Sequence, residues 1–276
     1  MSARSSLVSV LLFALVACSK GAPATEAGVA EGGTGEGPHR GEPIRVAAAS
    51  DLTAAFKDVG AAFEQKSGKK VSFSFGSTGL LTKQIAEGAP FEVFAAANVS
   101  FVDEVVKSGH CRKETQQLYA RGRIVLWAKD EAALPKSVED LKDPRFKKIA
   151  IANPEHAPYG KAAQQAMTKA GVWETVKPRM VYGENISQTF AFGKSGNAEV
   201  AIIALSLAIG AEGKYREIDA STHDPLDQAM VICNGGSRGT KSNEAKQFVD
   251  FVSSPDGRGI MKKYGFLLPG ETGDTK

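Results

Sequence analysis

Residues 44–88 read IRVAAASDLTAAFKDVGAAFEQKSGKKVSFSFGSTGLLTKQIAEG, and this stretch decides the class of fold. It opens on IRVAAA at 44–49, a short apolar run suited to a buried strand. Leu52, Phe56, Val59 and Phe63 then recur at helical spacing, and Gly68 is placed to end that helix. VSFSF at 71–75 is a second strand. Leu80, Leu81 and Ile85 follow on a short helix that Gly88 closes. Strand and helix therefore alternate from the first residue of the globular body.

The alternation continues outward. Strands are expected over 91–97, 124–128, 149–152, 180–182, 200–204 and 230–233. Helices are expected over 99–107, 161–170, 186–192, 243–253 and 255–264. Such a succession argues layered α/β structure with mostly parallel sheets. No internal repeat stands out.

Four strand-to-helix junctions share small polar chemistry. They are AAASDLT at 47–53, FGSTGLL at 75–81, NPEHAPYGKAA at 153–163 and YGENISQTF at 182–190. Ser50 or Asp51 would cap the first helix, Ser77 and Thr78 stand at the second, the third starts near Tyr159 and Gly160, and Asn185, Ile186 and Ser187 open the fourth. A helix N-terminus carries unsatisfied N–H groups and partial positive charge, which suits an anion. In open α/β sheets these junctions lie along one edge, where ligands bind. Ser, Thr, Asp and Asn also start helices everywhere, so each junction alone reads equally well as an ordinary cap.

The N-terminus reads as an address. Residues 1–18 are MSARSSLVSVLLFALVAC: Arg4 gives a positive start, and the apolar run over 7–17 is too short to span a bilayer as a helix. Leu15-Val16-Ala17-Cys18 resembles the lipobox of bacterial lipoproteins, which implies a signal peptide over 1–17 and a lipid anchor on Cys18. The alternative is an ordinary secretory signal with an incidental cysteine. Ser19 after the cysteine resembles the pattern sorted to the outer membrane. From Ser19 to Glu42 almost nothing is large and apolar, so residues 18–43 read as the anchor and a disordered tether. The expected product is exported to the periplasm and held on a membrane.

Several chemistries are weak or absent. Net charge is +3 with no block of five like charges, which leaves no nucleic-acid arm. Cys18, Cys111 and Cys233 form no C-x-x-C and pair with no histidine at zinc spacing, so no free metal ion and no cofactor are expected. GGSRGTKS at 235–242 lacks the adjacent Gly-Lys of a phosphate loop. Phe75 stands where a nucleophile elbow around Ser77 needs glycine, and nothing pairs His156 with a nucleophile. A lipoprotein hydrolase using Ser77 or His156 remains only as a remote alternative to a non-enzymatic binding protein.

From about 44 to 269 the chain resembles the periplasmic molybdate-binding proteins of ABC transporters. VAAASDL at 46–52, FGSTGLLTKQIAEGAPFEVFAAAN at 75–98, ANPEHAPYGKAA at 152–163 and KKYGFLLP at 262–269 carry the likeness. The resemblance implies two α/β lobes, each a mostly parallel sheet flanked by helices, joined by crossing hinge strands and closing on the ligand. It puts 44–118 and 232–270 in the first lobe, 119–231 in the second, and leaves 271–276 as a tail.

The ligand implied is molybdate or tungstate, delivered by a monomer to the permease of an ABC importer. Sulfate or phosphate on the same fold is the alternative. By resemblance, Ser50 and Thr78 supply hydroxyls, with Ser77 beside them, and Tyr159 and Ile186 supply backbone N–H groups. Asp51 could accept a proton from phosphate, but is read rather as a helix cap. The family often adds a tyrosine hydroxyl where Ala204 stands here; the Tyr159 hydroxyl is the candidate replacement. The resemblance also brings Cys111 and Cys233 together, as a disulfide near the hinge on the first lobe's side, the alternative being two buried free thiols.

Overall fold

The computed structural model describes residues 41–235 and 242–271. The expected signal peptide, Cys18, nearly all of the expected tether, most of the 235–242 loop and the last five residues lie outside the described residues. The elements run β1 (Ile44–Ala49), α1 (Thr53–Ser67), β2 (Val71–Gly76), α2 (Thr78–Ala86), β3 (Val93–Ala96), α3 (Val99–Lys107) and β4 (Gln117–Gly122). They continue with β5 (Ile124–Ala128), β6 (Ile149–Ala152), α4 (Pro158–Lys169), α5 (Trp173–Val176), β7 (Met180–Gly183), α6 (Ile186–Lys194), β8 (Val200–Ala204), α7 (Leu205–Ala208) and β9 (Lys214–Glu217). β10 (Leu226–Ile232), α8 (Ser242–Val252) and α9 (Pro255–Lys263) complete the chain.

The strands form two five-stranded sheets, ordered β2-β1-β3-β10-β4 and β7-β6-β8-β5-β9. Each is half parallel. β1 pairs parallel with β2 and β3, while β10 runs antiparallel between β3 and β4. The second sheet repeats the scheme, with β6 parallel to β7 and β8, and β5 antiparallel between β8 and β9. The mostly parallel expectation thus holds for the βα half of each sheet and is corrected for the other half. That half is built from the strands flanking the two crossings between sheets, which must return against the βα direction.

The chain first crosses at Arg123, between β4 and β5, and returns between β9 and β10. Residues 119–122 and 226–231, expected in the second lobe, pair in the first sheet. β4 was not visible as a strand because QLYARG alternates poorly, and β9 because all four residues of KYRE are exposed. Both are edge strands, the outer flank of β4 meeting only the isolated bridge from Arg121 to Leu267, and neither needs a continuous apolar run.

The central strands are mostly apolar because both faces are covered, Arg45 of β1 and Asp227 and Gln228 of β10 being the exceptions. Val46 and Ala48 face a cluster with Phe56 and Phe63 of α1 and Phe248 of α8, while Ala47 packs on the opposite face with Leu81 and Ile85 of α2 and Val102 and Val105 of α3. Phe56, Phe63, Phe73 and Phe248 meet at centroid distances of 5.4 to 6.1 Å, mostly tilted or edge-on, the arrangement favoured by ring quadrupoles. In the second sheet Trp127 is fully buried and packs edge-on against Phe190, 5.1 Å away.

Cys111 and Cys233 are bonded, 122 residues apart in sequence, and face each other as an antiparallel bridge. The bond belongs to the first sheet, but not to its hinge end. β10 leaves the hinge at Leu226, opposite Gly122, and Cys233 comes seven residues later, beyond Ile232 opposite Val93. At about 3.3 Å per residue that separation is roughly 20 Å. The expectation of a bond near the hinge is corrected: the crossing joins one end of β10 and the disulfide staples the other.

Candidate functional site

The carboxyl ends of β1, β2 and β3 face those of β6 and β7 across a small cavity. Its wall contains Ser50, Asp51, Ser77, Thr78, Tyr159 and Ile186, so all six candidate residues come together, with Ala49, Gly76, Ala97, Ala157 and Pro158 between them. The cavity volume is about 10 Å³, about the room of one water and far below the roughly 300–1,000 Å³ of pockets for drug-sized ligands, so the walls are nearly in contact and suit only a small compact solute.

Local structure explains how each group reaches the wall. Thr78 is the first residue of α2, Tyr159 the second of α4 after Pro158, and Ile186 the first of α6. First-turn N–H groups have no partner inside their own helix. Pro158 adds none to satisfy, and its fixed φ suits a helix start, which places the start of α4 three residues ahead of the expected 161. Asn185 caps α6, its side chain accepting from the Gln188 N–H. Ser50 opens a single 3-10 turn over Ser50–Leu52. The hydrogen bonds at Ser50 use its carbonyl oxygen, which leaves the hydroxyl uncommitted among the described residues. Thr78 Oγ1 accepts from the Ala97 N–H at 3.3 Å, so its own proton is available to a ligand.

Hydrogen bonds cross the cleft in both directions. From the second lobe, Ser187 Oγ donates to Ser50 O (3.0 Å), Ser206 Oγ to Asp51 O (2.8 Å) and Tyr159 Oη to Asp51 Oδ2 (2.9 Å). From the first, the Gly79 N–H (2.9 Å) and Ser77 Oγ (2.8 Å) donate to His156 O. Ser77 Oγ also lies 2.8 Å from His156 Nδ1. The hydroxyl has one proton and gives it to the carbonyl, so Nδ1 carries the proton of that second bond. Gly79 is required here: a Cβ would lie 2.7 Å from His156 O.

Asp51 does not cap a helix. It is fully buried, and Oδ2 accepts from Gln228 Nε2 (2.6 Å) as well as from Tyr159. Oδ1 has no partner. Burial pushes its pKa up to about 6, against lowering by the Gln228 and Tyr159 bonds. Gln228 in turn accepts from Tyr119 Oη at 2.8 Å. Burial first, and the Asp51 charge second, hold both tyrosine hydroxyls well above their ordinary pKa. The cavity wall contains no Lys or Arg. Among the described residues, no group of three His, Cys, Asp or Glu could hold a metal ion.

A family model described as Bacterial extracellular solute-binding protein matches residues 44–267. The chain belongs to that family. Its relatives include Molybdate-binding protein ModA of Rhodobacter capsulatus, 37% identical, with 82% of this chain and 88% of the relative covered. The protein of that name from Azotobacter vinelandii is 38% identical, with 82% and 90% covered. Among solved structures, the periplasmic molybdate-binding protein of Azotobacter vinelandii matches with a TM-score of 0.75 at 28% identity, covering 82% of this chain and 99% of that one. Two lobes of α/β structure around a central cleft are thus shared with a solved binding protein.

In this solute-binding protein the Tyr159 hydroxyl is not the replacement for a tyrosine at 204. It is committed to Asp51 and to Gln228 Nε2, 3.1 Å away, and Ala204 is not in the wall. Gln228, Ser206 and the latch made by His156 were not foreseen, and Ser187 was read only as a residue opening the fourth junction, not as a donor to Ser50 O. Gln228 left one legible signal: a glutamine inside LDQAMVI, where a buried side-chain amide demands partners. The strand was expected to begin at Met230, which kept Gln228 outside it.

Proposed function

We propose that this protein captures molybdate, with tungstate as its close analogue, and delivers it to the permease of an ABC importer without catalysing a reaction. The observation that carries the reading is a small cavity between two lobes, walled by hydroxyls and helix-start amides and free of cationic side chains. Molybdate and tungstate are proton-free dianions at neutral pH, whose four oxygens only accept. Neutral donors suffice for such a ligand, and the relatives at 37% and 38% identity bear the name of molybdate. The donors are Ser50 Oγ, Thr78 Oγ1 and the N–H groups of Tyr159 and Ile186, all to ligand oxygens. Ser77 serves differently, by holding His156 across the cleft. Residues 44–122 with 226–270 form one lobe in this reading, and 123–225 the other.

A thermal-shift panel of molybdate, tungstate, sulfate and phosphate tests the reading, because a ligand bound only by the folded state raises its stability by mass action. Molybdate and tungstate are expected to give the largest shifts; a larger shift with sulfate or phosphate transfers the assignment to that anion. Thr78→Ala and Ser50→Ala are each expected to weaken molybdate binding by about 1–3 kcal/mol, the range for a hydrogen bond to a charged group. Calorimetry that finds both affinities unchanged removes the assigned site.

Export and anchoring complete the proposal. Leu15-Val16-Ala17-Cys18 supports lipidation of Cys18, and the tether that follows leaves the body room to meet a permease. Cys18→Ala is expected to release the protein from membranes while ligand affinity stays the same. Fractionation that finds the wild-type mature protein wholly in the soluble periplasmic fraction rules the anchor out.

A further inference from the structure

We propose that Asp51 determines which oxyanions are accepted by acting as a neutral acid, so that capture of a proton-free dianion takes up one proton at this side chain. The inference rests on the oxyanion reading above and adds a residue that a pocket of hydroxyls and amides does not need.

The geometry leads there. Asp51 is in the cavity wall and is 0% exposed. Its two oxygens are unequal: Oδ2 has two donors, Tyr159 Oη and Gln228 Nε2, and Oδ1 has no partner. A buried carboxylate oxygen without a donor is costly, whereas a protonated one becomes a donor itself. The groups packed around it cannot offset its charge. α4 brings Tyr159, β4 brings Tyr119 through Gln228 of β10, and both phenols are held neutral. α7 brings the Ser206 hydroxyl and α6 brings Ser187 and Ile186, while Ser50, Ser77 and Thr78 complete the first lobe's side. None of these can carry a positive charge.

A dianion seated in the same cavity places two further negative charges beside this carboxylate. Like charges at that range disfavour ionisation strongly. Burial, offset in part by the Gln228 and Tyr159 bonds and by its own backbone N–H, already holds Asp51 up at about 6 before any ligand charge acts. In the complex the carboxyl is therefore neutral, with its proton on the oxygen that lacks a partner. A monohydrogen anion such as HPO₄²⁻ brings a proton of its own and would meet the ionised form instead. One proton between carboxyl and ligand is the shared condition, and its source separates the two classes of ligand.

The sign of the pH dependence follows. The complex binds one more proton than the free protein wherever pH lies between the pKa of Asp51 in the free protein and its higher value in the complex. Affinity for a dianion therefore falls as pH rises through that window, by about tenfold per pH unit, and is flat on either side.

Calorimetry of the wild-type protein with molybdate near pH 7, in two buffers of different ionisation heat, is expected to show uptake of about one proton per ligand bound. Asp51→Asn keeps an oxygen for Tyr159 and Gln228 and puts an N–H₂ where the acid proton was. It is expected to bind molybdate with no proton uptake and with an affinity that stays constant between about pH 6 and pH 8. Wild-type protein that binds molybdate with no proton uptake overturns the inference and leaves the oxyanion reading intact, as does an Asn variant that keeps the wild-type uptake. Wild-type protein that binds no anion of the panel overturns the oxyanion reading itself.

Discussion

Replacing Cys111 and Cys233 together by serine is expected to lower the melting temperature by roughly 10 °C or more while leaving ligand affinity unchanged. The bond joins residues 122 apart, and a loop of that length removes about 5 kcal/mol of denatured-state entropy in the chain-entropy model. For a body of this size each kcal/mol moves the midpoint by about 2–4 °C. Affinity is spared because both cysteines belong to the first sheet, at the end of β10 remote from the crossing and the cavity. Thermal scans of the variant, and of the wild type under reductant, check the first half; calorimetry checks the second. A shift below about 2 °C would show that the denatured chain gains little freedom when the bond is lost, against the chain-entropy account.

The second large effect is expected at Gly79. Gly79→Ala should weaken molybdate binding about 100-fold or more while the ligand-free protein melts no lower than wild type. A methyl group at this position would lie 2.7 Å from His156 O, 3.0 Å from its Cβ and 3.1 Å from its Cα. Backbone in another lobe cannot rotate away as a flexible side chain does. The start of α2 must then part from the loop before α4, which breaks the bonds from Gly79 N and Ser77 Oγ to His156. Those contacts are worth about 1 kcal/mol each, about 3 kcal/mol together. Within α2, by contrast, alanine is the better helix former by about 1 kcal/mol. Closure and folding are thereby separated in one variant. Unchanged affinity in Gly79→Ala would show that this contact is not kept when ligand is bound.

The sequence disclosed the fold where burial was complete. Ile124–Ala128, Ile149–Ala152 and Val200–Ala204 are buried at every position and Ile44–Ala49 at every position but Arg45, and each was read with its observed bounds because such strands form near-continuous apolar runs. Strands at the sheet edges carried no such mark, which hid Gln117–Gly122 and Lys214–Glu217. The candidate site was legible as a set of junctions, since small polar residues after a strand are visible one by one. Their convergence, and the contacts of Ser77, Tyr159 and Asp51 across the cleft, depend on how two lobes meet. Local spacing holds no record of that. His156 shows the limit clearly: what matters is its carbonyl and a ring proton facing Ser77, 79 residues away in sequence.

The order of strands in the two sheets has a bearing on assembly. β5 to β9 are consecutive, so the second sheet has all its strands once residue 217 has emerged. The first sheet is different: β4 pairs with β10 rather than with β3, and β10 is the last strand of all. Until it arrives, β4 has no neighbour in the sheet, and Cys111 has no Cys233. Short-range pairing forms faster than long-range pairing, so the inserted lobe is complete while the lobe that carries both ends of the body is still an open three-stranded fragment. β10 then acts as a keystone, whose insertion fixes β3 to β4, brings Gln228 under Asp51 and delivers the second thiol in one event.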